Sequence, residues 1–167
     1  MSGLWTIYRK ELRAFLVAPL TYVLTGVFLA LGGYFFWATV VTSGIASLAG
    51  FFGNTTIVLI FLMPVLTMRL WSDEEAKGTA ELLLTSPVSL GQIVVGKYLA
   101  ALTLFLGMLL LTAGYPLVLY LFGTPQTGPV IAGYIGFLLL GAAFIAVGMF
   151  TSTLTDNQVI AAVSGFG

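Results

Sequence analysis

Two tracts without a single charged side chain decide what this chain can become. Residues 14–68 and 98–155 hold no Asp, Glu, Lys or Arg, uninterrupted runs of 55 and 58 residues. The hydrocarbon core of a bilayer is about 30 Å thick and takes about 20 apolar residues per helical crossing. Each tract is therefore long enough for two crossings and the turn that joins them. With no water at that depth, backbone groups must be satisfied within the segment, which selects helices. An ordinary soluble domain carries about 25% charged residues; this chain of 167 residues carries 7%, with 59% hydrophobic. The fold class is all-α, a polytopic transmembrane helical protein.

Between the tracts lies a polar island, residues 69–97, with seven of the chain's twelve charges: Arg69, Asp73, Glu74, Glu75, Lys77, Glu81 and Lys97. All six Lys and Arg fall in the N-terminal segment or this island. Lys and Arg concentrate on the cytoplasmic side of membrane proteins. The N-terminus, the island and the 151–158 loop are thus expected in the cytoplasm, and two crossings between successive inner segments keep that parity.

Residues 2–17 have helical periodicity, with Trp5, Tyr8, Leu12, Phe15 and Leu16 on one stripe and Arg9, Lys10, Glu11 and Arg13 on other faces. An aromatic-rich stripe with basic flanks suits a helix lying in the membrane interface; plain flanking charges for the first span are the alternative. Pro19 has no N–H and interrupts the chain there. Spans are expected at about 20–41, 54–70, 93–122 and 130–150, following the length rule. Residues 42–53 read as an outer loop, and the turn-rich 123–129 as a second one. Pro64 and Pro116 are candidate flex points, since a membrane helix tolerates Pro when neighbours satisfy the freed carbonyl. The four-residue spacings Ala132/Gly136 and Ala142/Ala146 permit close helix approach, within the chain or along a dimer seam. Residues 159–167 begin a new apolar run, read as the start of a fifth helix or as a short surface-lying tail.

The residue inventory excludes much. Net charge is zero, so no basic field recruits nucleic acid. There is no Cys and no His, which removes disulfides, thiolate chemistry, HExxH metal sites and Ser-His dyads. No catalytic, cofactor-binding or metal site is expected. Apart from tyrosine, the spans hold at mid-membrane depth none of the ionisable groups that proton- or cation-driven transporters place there. No Gly-rich loop ending in Lys-Ser or Lys-Thr is present to hold a nucleotide. Any uphill transport would draw its energy from another polypeptide.

The island itself is ordered. Ser72 to Glu75 fits a capping box, with acids where the helix dipole favours them, and Asp73 to Lys77 is an i,i+4 pair with the acid first. Leu82, Leu83 and Leu84 give that helix an apolar end, and Pro87 stops it. Ser89 to Gln92 is a second capping box, opening the helix that becomes the third span. A solvated loop needs less order than this, and exposed leucines suggest a partner.

The run WSDEEAKGTAELLLTSPVSLGQIVVGKYLA resembles the loop between spans two and three of ABC-2 type transporter permeases. It matches that pattern at Asp73, Glu74, Glu75, Gly78, Thr79, Glu81, Leu82, Leu83, Leu84, Ser86, Pro87, Val88 and Lys97. YRKEL at 8–12 resembles the same family's N-terminal interfacial helix, and the nearest flavour is its gliding-motility-associated, GldF-like branch. The resemblance implies a single transmembrane domain over 1–167, cut short within a six-span unit. It implies a coupling-helix loop at 71–92, with Ser72, Asp73, Glu74, Glu75, Lys77, Gly78, Thr79, Glu81, Leu82, Leu83, Leu84, Ser86 and Pro87 docking on a separate ATPase. Trp5, Tyr8, Arg9, Lys10 and Arg13 would form the interfacial helix. The partners implied are that ATPase, which holds the ATP and Mg, a second permease copy or homologue, and the lipid of a bacterial cytoplasmic membrane. An exporter is expected. The competing reading is a membrane scaffold that recruits a cytoplasmic protein through 71–92 and transports nothing.

Overall fold

The computed structural model describes residues 3–44, 47–67 and 89–152. These residues form α1 (Gly3–Val17), α2 (Pro19–Ser43), α3 (Ala49–Thr67), α4 (Leu90–Leu111), α5 (Gly114–Phe122) and α6 (Thr127–Ser152). Among the described residues there is no strand, and four stretches are long and apolar enough to cross a membrane: α2, α3, α4 with α5, and α6. The chain is a multi-pass, all-α membrane protein.

The helix boundaries follow local chemistry. Ala18 is extended (φ −71°, ψ 123°) and separates α1 from α2, with Pro19 in the first turn of α2 where its missing N–H costs nothing. Gly44 ends α2 in the left-handed region (φ 62°), and its N–H reaches the Val40 carbonyl. A glycine adopts that geometry without the clash a Cβ brings.

The loop expected at 42–53 is shorter than the residue types suggested, because α3 already starts at Ala49. Gly50 lies close against Thr39 of α2. The Asn54 amide donates to the Gly50 carbonyl at 2.9 Å. Residues that mark a loop in water here serve helix packing and bond back to their own helix.

The third crossing is broken. α4 ends at Leu111, Thr112 and Ala113 form a turn, and α5 resumes at Gly114. Pro116 supplies no N–H for the Thr112 carbonyl four residues earlier, so the break appears upstream of the proline. α3, by contrast, runs through the buried Pro64 to Thr67. The capping box read at Ser89 is corrected in one respect. Ser89 does occupy the N-cap position of α4 with an extended backbone, but its side chain makes no cap bond. Its carbonyl is used instead, accepting from the N–H groups of Gln92 and Ile93.

α2 packs on α3, α3 on α6, and α6 on α4. The main core joins Phe28 of α2, Leu59, Met63 and Leu66 of α3, Phe105 and Met108 of α4, and Phe137 and Ile145 of α6. Phe137 is its hub, with ring centroids 5.8–6.5 Å from Phe28, Phe51, Phe52 and Phe105. These separations suit tilted aromatic pairs.

Close approaches fix the relative direction of the helices. At one end Gly148 of α6 lies against Thr67 of α3, and at the other Gly133 of α6 lies against Phe52 of α3. Gly141 sits directly against the Phe105 ring. The ends of α3 and α6 thus pair at matching levels. Gly136 has nothing within 4 Å of where a Cβ would be, and Ala132 and Ala146 are exposed. So Ala132/Gly136 is not a site of close helix approach among the described residues, and the internal close approaches on α6 fall at Gly133, Gly141 and Gly148.

Candidate functional site

The polar end of the molecule is organised around α1 and the first turns of α4. α1 packs chiefly against α4, although its covalent neighbour is α2. Ile7 is the buried residue of α1, and its Cγ2 lies 2.9 Å from where a Cβ on Gly96 would stand. Only glycine at 96 allows the helices this near. The Tyr8 hydroxyl shares a hydrogen bond of 3.2 Å with the Thr103 hydroxyl, and the Tyr8 ring stacks on Trp5 at 5.1 Å.

Between these contacts lies a charge pair. The Lys97 Nζ donates to the Glu11 Oε1 at 3.4 Å. The Lys97 side chain is 1% exposed and that of Glu11 12%. An ammonium removed from water to this extent is retained only with compensating partners. Glu11 also lies 3.8 Å from Lys10, whose side chain is 55% exposed. The predicted interfacial residues Arg9, Lys10 and Arg13 are exposed, Trp5 is exposed, and Tyr8 is half-buried. The face of α1 turned from α4 is therefore basic.

Sequence reasoning missed two members of this junction. Lys97 was read as a pattern residue leading into the span, and Glu11 as a surface charge. No local signal joins positions 86 residues apart. A lysine eight residues past the N-cap of a span, combined with an acid in a predicted interfacial helix, is the only hint available.

A second polar cluster sits at the break in the third crossing. The Tyr134 hydroxyl of α6 donates to the Thr112 carbonyl at 2.9 Å, and the Thr112 hydroxyl donates to the Leu109 carbonyl at 2.6 Å. Each hydroxyl has one proton, so the 3.1 Å approach between the two hydroxyl oxygens adds no further bond. The Tyr115 hydroxyl donates to the Leu29 carbonyl of α2 at 2.9 Å. Two tyrosines thus tie the break to α2 and α6, and the Tyr134 hydroxyl serves the Thr112 carbonyl that Pro116 cannot. Near it, at the end away from α1, Phe36, Trp37, Leu48, Phe52, Val118 and Phe122 contribute to an open apolar cleft of about 990 Å³.

The predicted docking residues from Ser72 to Pro87 lie outside the described residues, as does the loop around Asp156. Their attachment points are described. Thr67 ends α3 beside Gly148, near the C-terminal end of α6, and Ser89 opens α4 about two turns before the Lys97–Glu11 pair. Among the described residues no three His, Cys, Asp or Glu come together to hold a metal.

Comparison with known proteins decides the family. The model of the ABC-2 family transporter protein matches residues 39–167. That match spans the last five residues of α2, all of α3, the island and every later helix. The chain belongs to the ABC-2 transporter family. It is also 31% identical, over an alignment of 183 residues, to a protein of Pseudomonas aeruginosa described as "Probable ABC transporter permease protein NosY". All of this chain and 66% of that relative are covered, so the chain spans just under two-thirds of the relative's length. The charges of the described residues gather at the end built by α1 and the first turns of α4, with Lys97 inside the third crossing.

Proposed function

We propose that the protein is the membrane-spanning permease subunit of an ATP-binding cassette transporter, working as an exporter and driven by a separate ATPase. The family match across 39–167 carries this reading, and the wording of the relative's description agrees with it. The ATPase holds ATP and Mg²⁺, and this chain contributes no hydrolytic residues. A second permease copy or a homologous permease completes the membrane unit. The pattern at 72–97 draws the chain toward the gliding-motility-associated branch of the family.

In this reading α1 is the interfacial helix, with Arg9, Lys10 and Arg13 toward the cytoplasmic headgroups of the inner membrane. Residues 71–92 form the coupling element. The ATPase closes on ATP and displaces that element. Because it is continuous in sequence with α4, the displacement enters the third crossing and reaches the break at Thr112–Ala113.

The test is a charge reversal in the full-length protein bound to its ATPase. Glu75→Lys and Glu81→Lys should lower transport-linked ATP hydrolysis by about fivefold or more, the lower range of coupling between linked sites. Membrane insertion should be unchanged. Full activity in both variants removes 71–92 from the mechanism. Partner capture from cells that returns only proteins without ATPase activity instead supports a non-transporting scaffold.

A further inference from the structure

The junction of α1 with α4 has a mechanical consequence. α1 is joined to α2 through one extended residue, Ala18, whose flanking hydrogen bonds are local: Ala18 N–H to the Ala14 carbonyl at 3.1 Å and Thr21 N–H to the Ala18 carbonyl at 3.1 Å. Across that elbow the Tyr22 hydroxyl donates to the Leu16 carbonyl at 2.6 Å, on an exposed surface. α1 otherwise meets α2 sparsely and α4 extensively. Its contacts with α4 are of three independent kinds. Ile7 is seated on Gly96, Tyr8 bonds to Thr103, and Glu11 pairs with the buried Lys97. They span residues 96 to 103, about two helical turns, so α1 is held along a length and not at a point.

We propose that α1 and α4 move as one body, latched by Glu11 and Lys97, while the chain bends at Ala18 between α1 and α2. This rests on the reading that force enters α4 from residues 71–92. The latch assigns a role to both charges: they are positioning residues that convert a push on the start of α4 into a tilt of the surface helix. Packed interfaces of this kind shift between discrete arrangements and do not stretch. A joint with one extended residue and mainly local bonds is where rotation is absorbed, as hinges are a few element-terminal residues.

The chain has no cysteine, which allows a direct test. The Ile7 Cβ lies 3.2 Å from the Cβ position of residue 96, close to the 3.5–4.5 Å that a disulfide spans. In the full-length Ile7→Cys/Gly96→Cys protein with its ATPase, the oxidised form should keep ATP-driven activity within about twofold of the reduced form. Loss of about fivefold or more, the lower range of site-to-site coupling, restored on reduction, would overturn the proposal by showing that α1 must slide on α4.

A second readout covers the case in which that pair distorts the fold. Spin labels on the exposed positions 13 and 99 report α1 against α4, and labels on 13 and 23 report α1 against α2. Adding a non-hydrolysable nucleotide should leave the first distance unchanged and alter the second. The reverse pattern refutes the latch. In Glu11→Gln the first distance should broaden, and Glu11→Asp should restore it, which a merely stabilising contact does not require. If the full chain binds no ATPase, the transporter reading falls and the lever falls with it. If the ATPase binds and hydrolyses but the oxidised protein is inactive until reduced, the lever alone falls.

Discussion

Replacing Tyr134 by Phe removes one hydroxyl from the membrane interior, and the structure says what that hydroxyl does. In an unbroken helix the Thr112 carbonyl would accept from the N–H of residue 116, but Pro116 has none. The carbonyl is served instead by the Tyr115 N–H at 3.0 Å and by the Tyr134 hydroxyl at 2.9 Å. The Phe105 to Phe137 packing does not involve this oxygen, so Tyr134→Phe removes a bond and leaves the fit intact. Interhelical hydrogen bonds in membranes average about 0.6 kcal/mol with a maximum near 1.7. A bond to a carbonyl lacking its helical donor belongs in the upper half, about 1 kcal/mol. For a chain of this size that is about 2–4 °C in melting temperature. Pro116→Ala returns an N–H to the same carbonyl. In that background Tyr134→Phe should cost less than half as much. Thermal unfolding of the four proteins of this cycle in detergent gives the coupling directly. If Tyr134→Phe costs the same with proline or alanine at 116, the two groups do not serve one carbonyl, and the account of the break is wrong.

Other outcomes follow from the same packing. Gly141→Leu places a side chain into the Phe105 ring and should destabilise by about 1–3 kcal/mol, as overpacked cores do. Gly136→Leu, on the same helix with open space around it, should leave the melting temperature unchanged; equal losses in the two would contradict the packing. Glu11→Gln should destabilise by about 1.5–3 kcal/mol, the range for a hydrogen bond to a charged group. Arg13→Gln, at an exposed site of the same helix, should stay within about 0.5 kcal/mol; denaturation monitored by intrinsic fluorescence compares them.

How much of this was readable beforehand differs by element. Three of the four crossings fell inside the charge-free tracts and the third reaches back into the island to Leu90, because hydrocarbon thickness sets helix length whatever the side chains. Errors gathered at the ends. Gly50 and Gly53 look like loop residues, yet α3 contains them, since in lipid the backbone must bond to itself even where propensity is poor. Pro116 announced the interruption, but its position had to be shifted by the four-residue reach of the missing N–H. Ser89 marked the start of α4 correctly through backbone geometry, while the side-chain bond that the capping pattern implies is not made.

The candidate site was legible in composition and illegible in pairing. The island of charge was plain, and the family pattern picked out Lys97. Only the fold brings Lys97 to Glu11 and Ile7 to Gly96, because those contacts depend on the angle at which α1 turns back over α4. Tyr115 and Tyr134 likewise carry no sequence mark, since an aromatic residue in a span reads as apolar filling until its hydroxyl is seen at a carbonyl.

The account turns on where energy enters, and a single cysteine can report it. Thr79→Cys, in a chain with no other cysteine, should resist a membrane-impermeant maleimide in intact cells. After lysis it should react freely, and in the assembled complex it should cross-link to the nucleotide-hydrolysing subunit. Labelling of that cysteine from outside the cell, or its failure to cross-link when the ATPase is bound, would contradict the claim that this end of the molecule receives the power stroke.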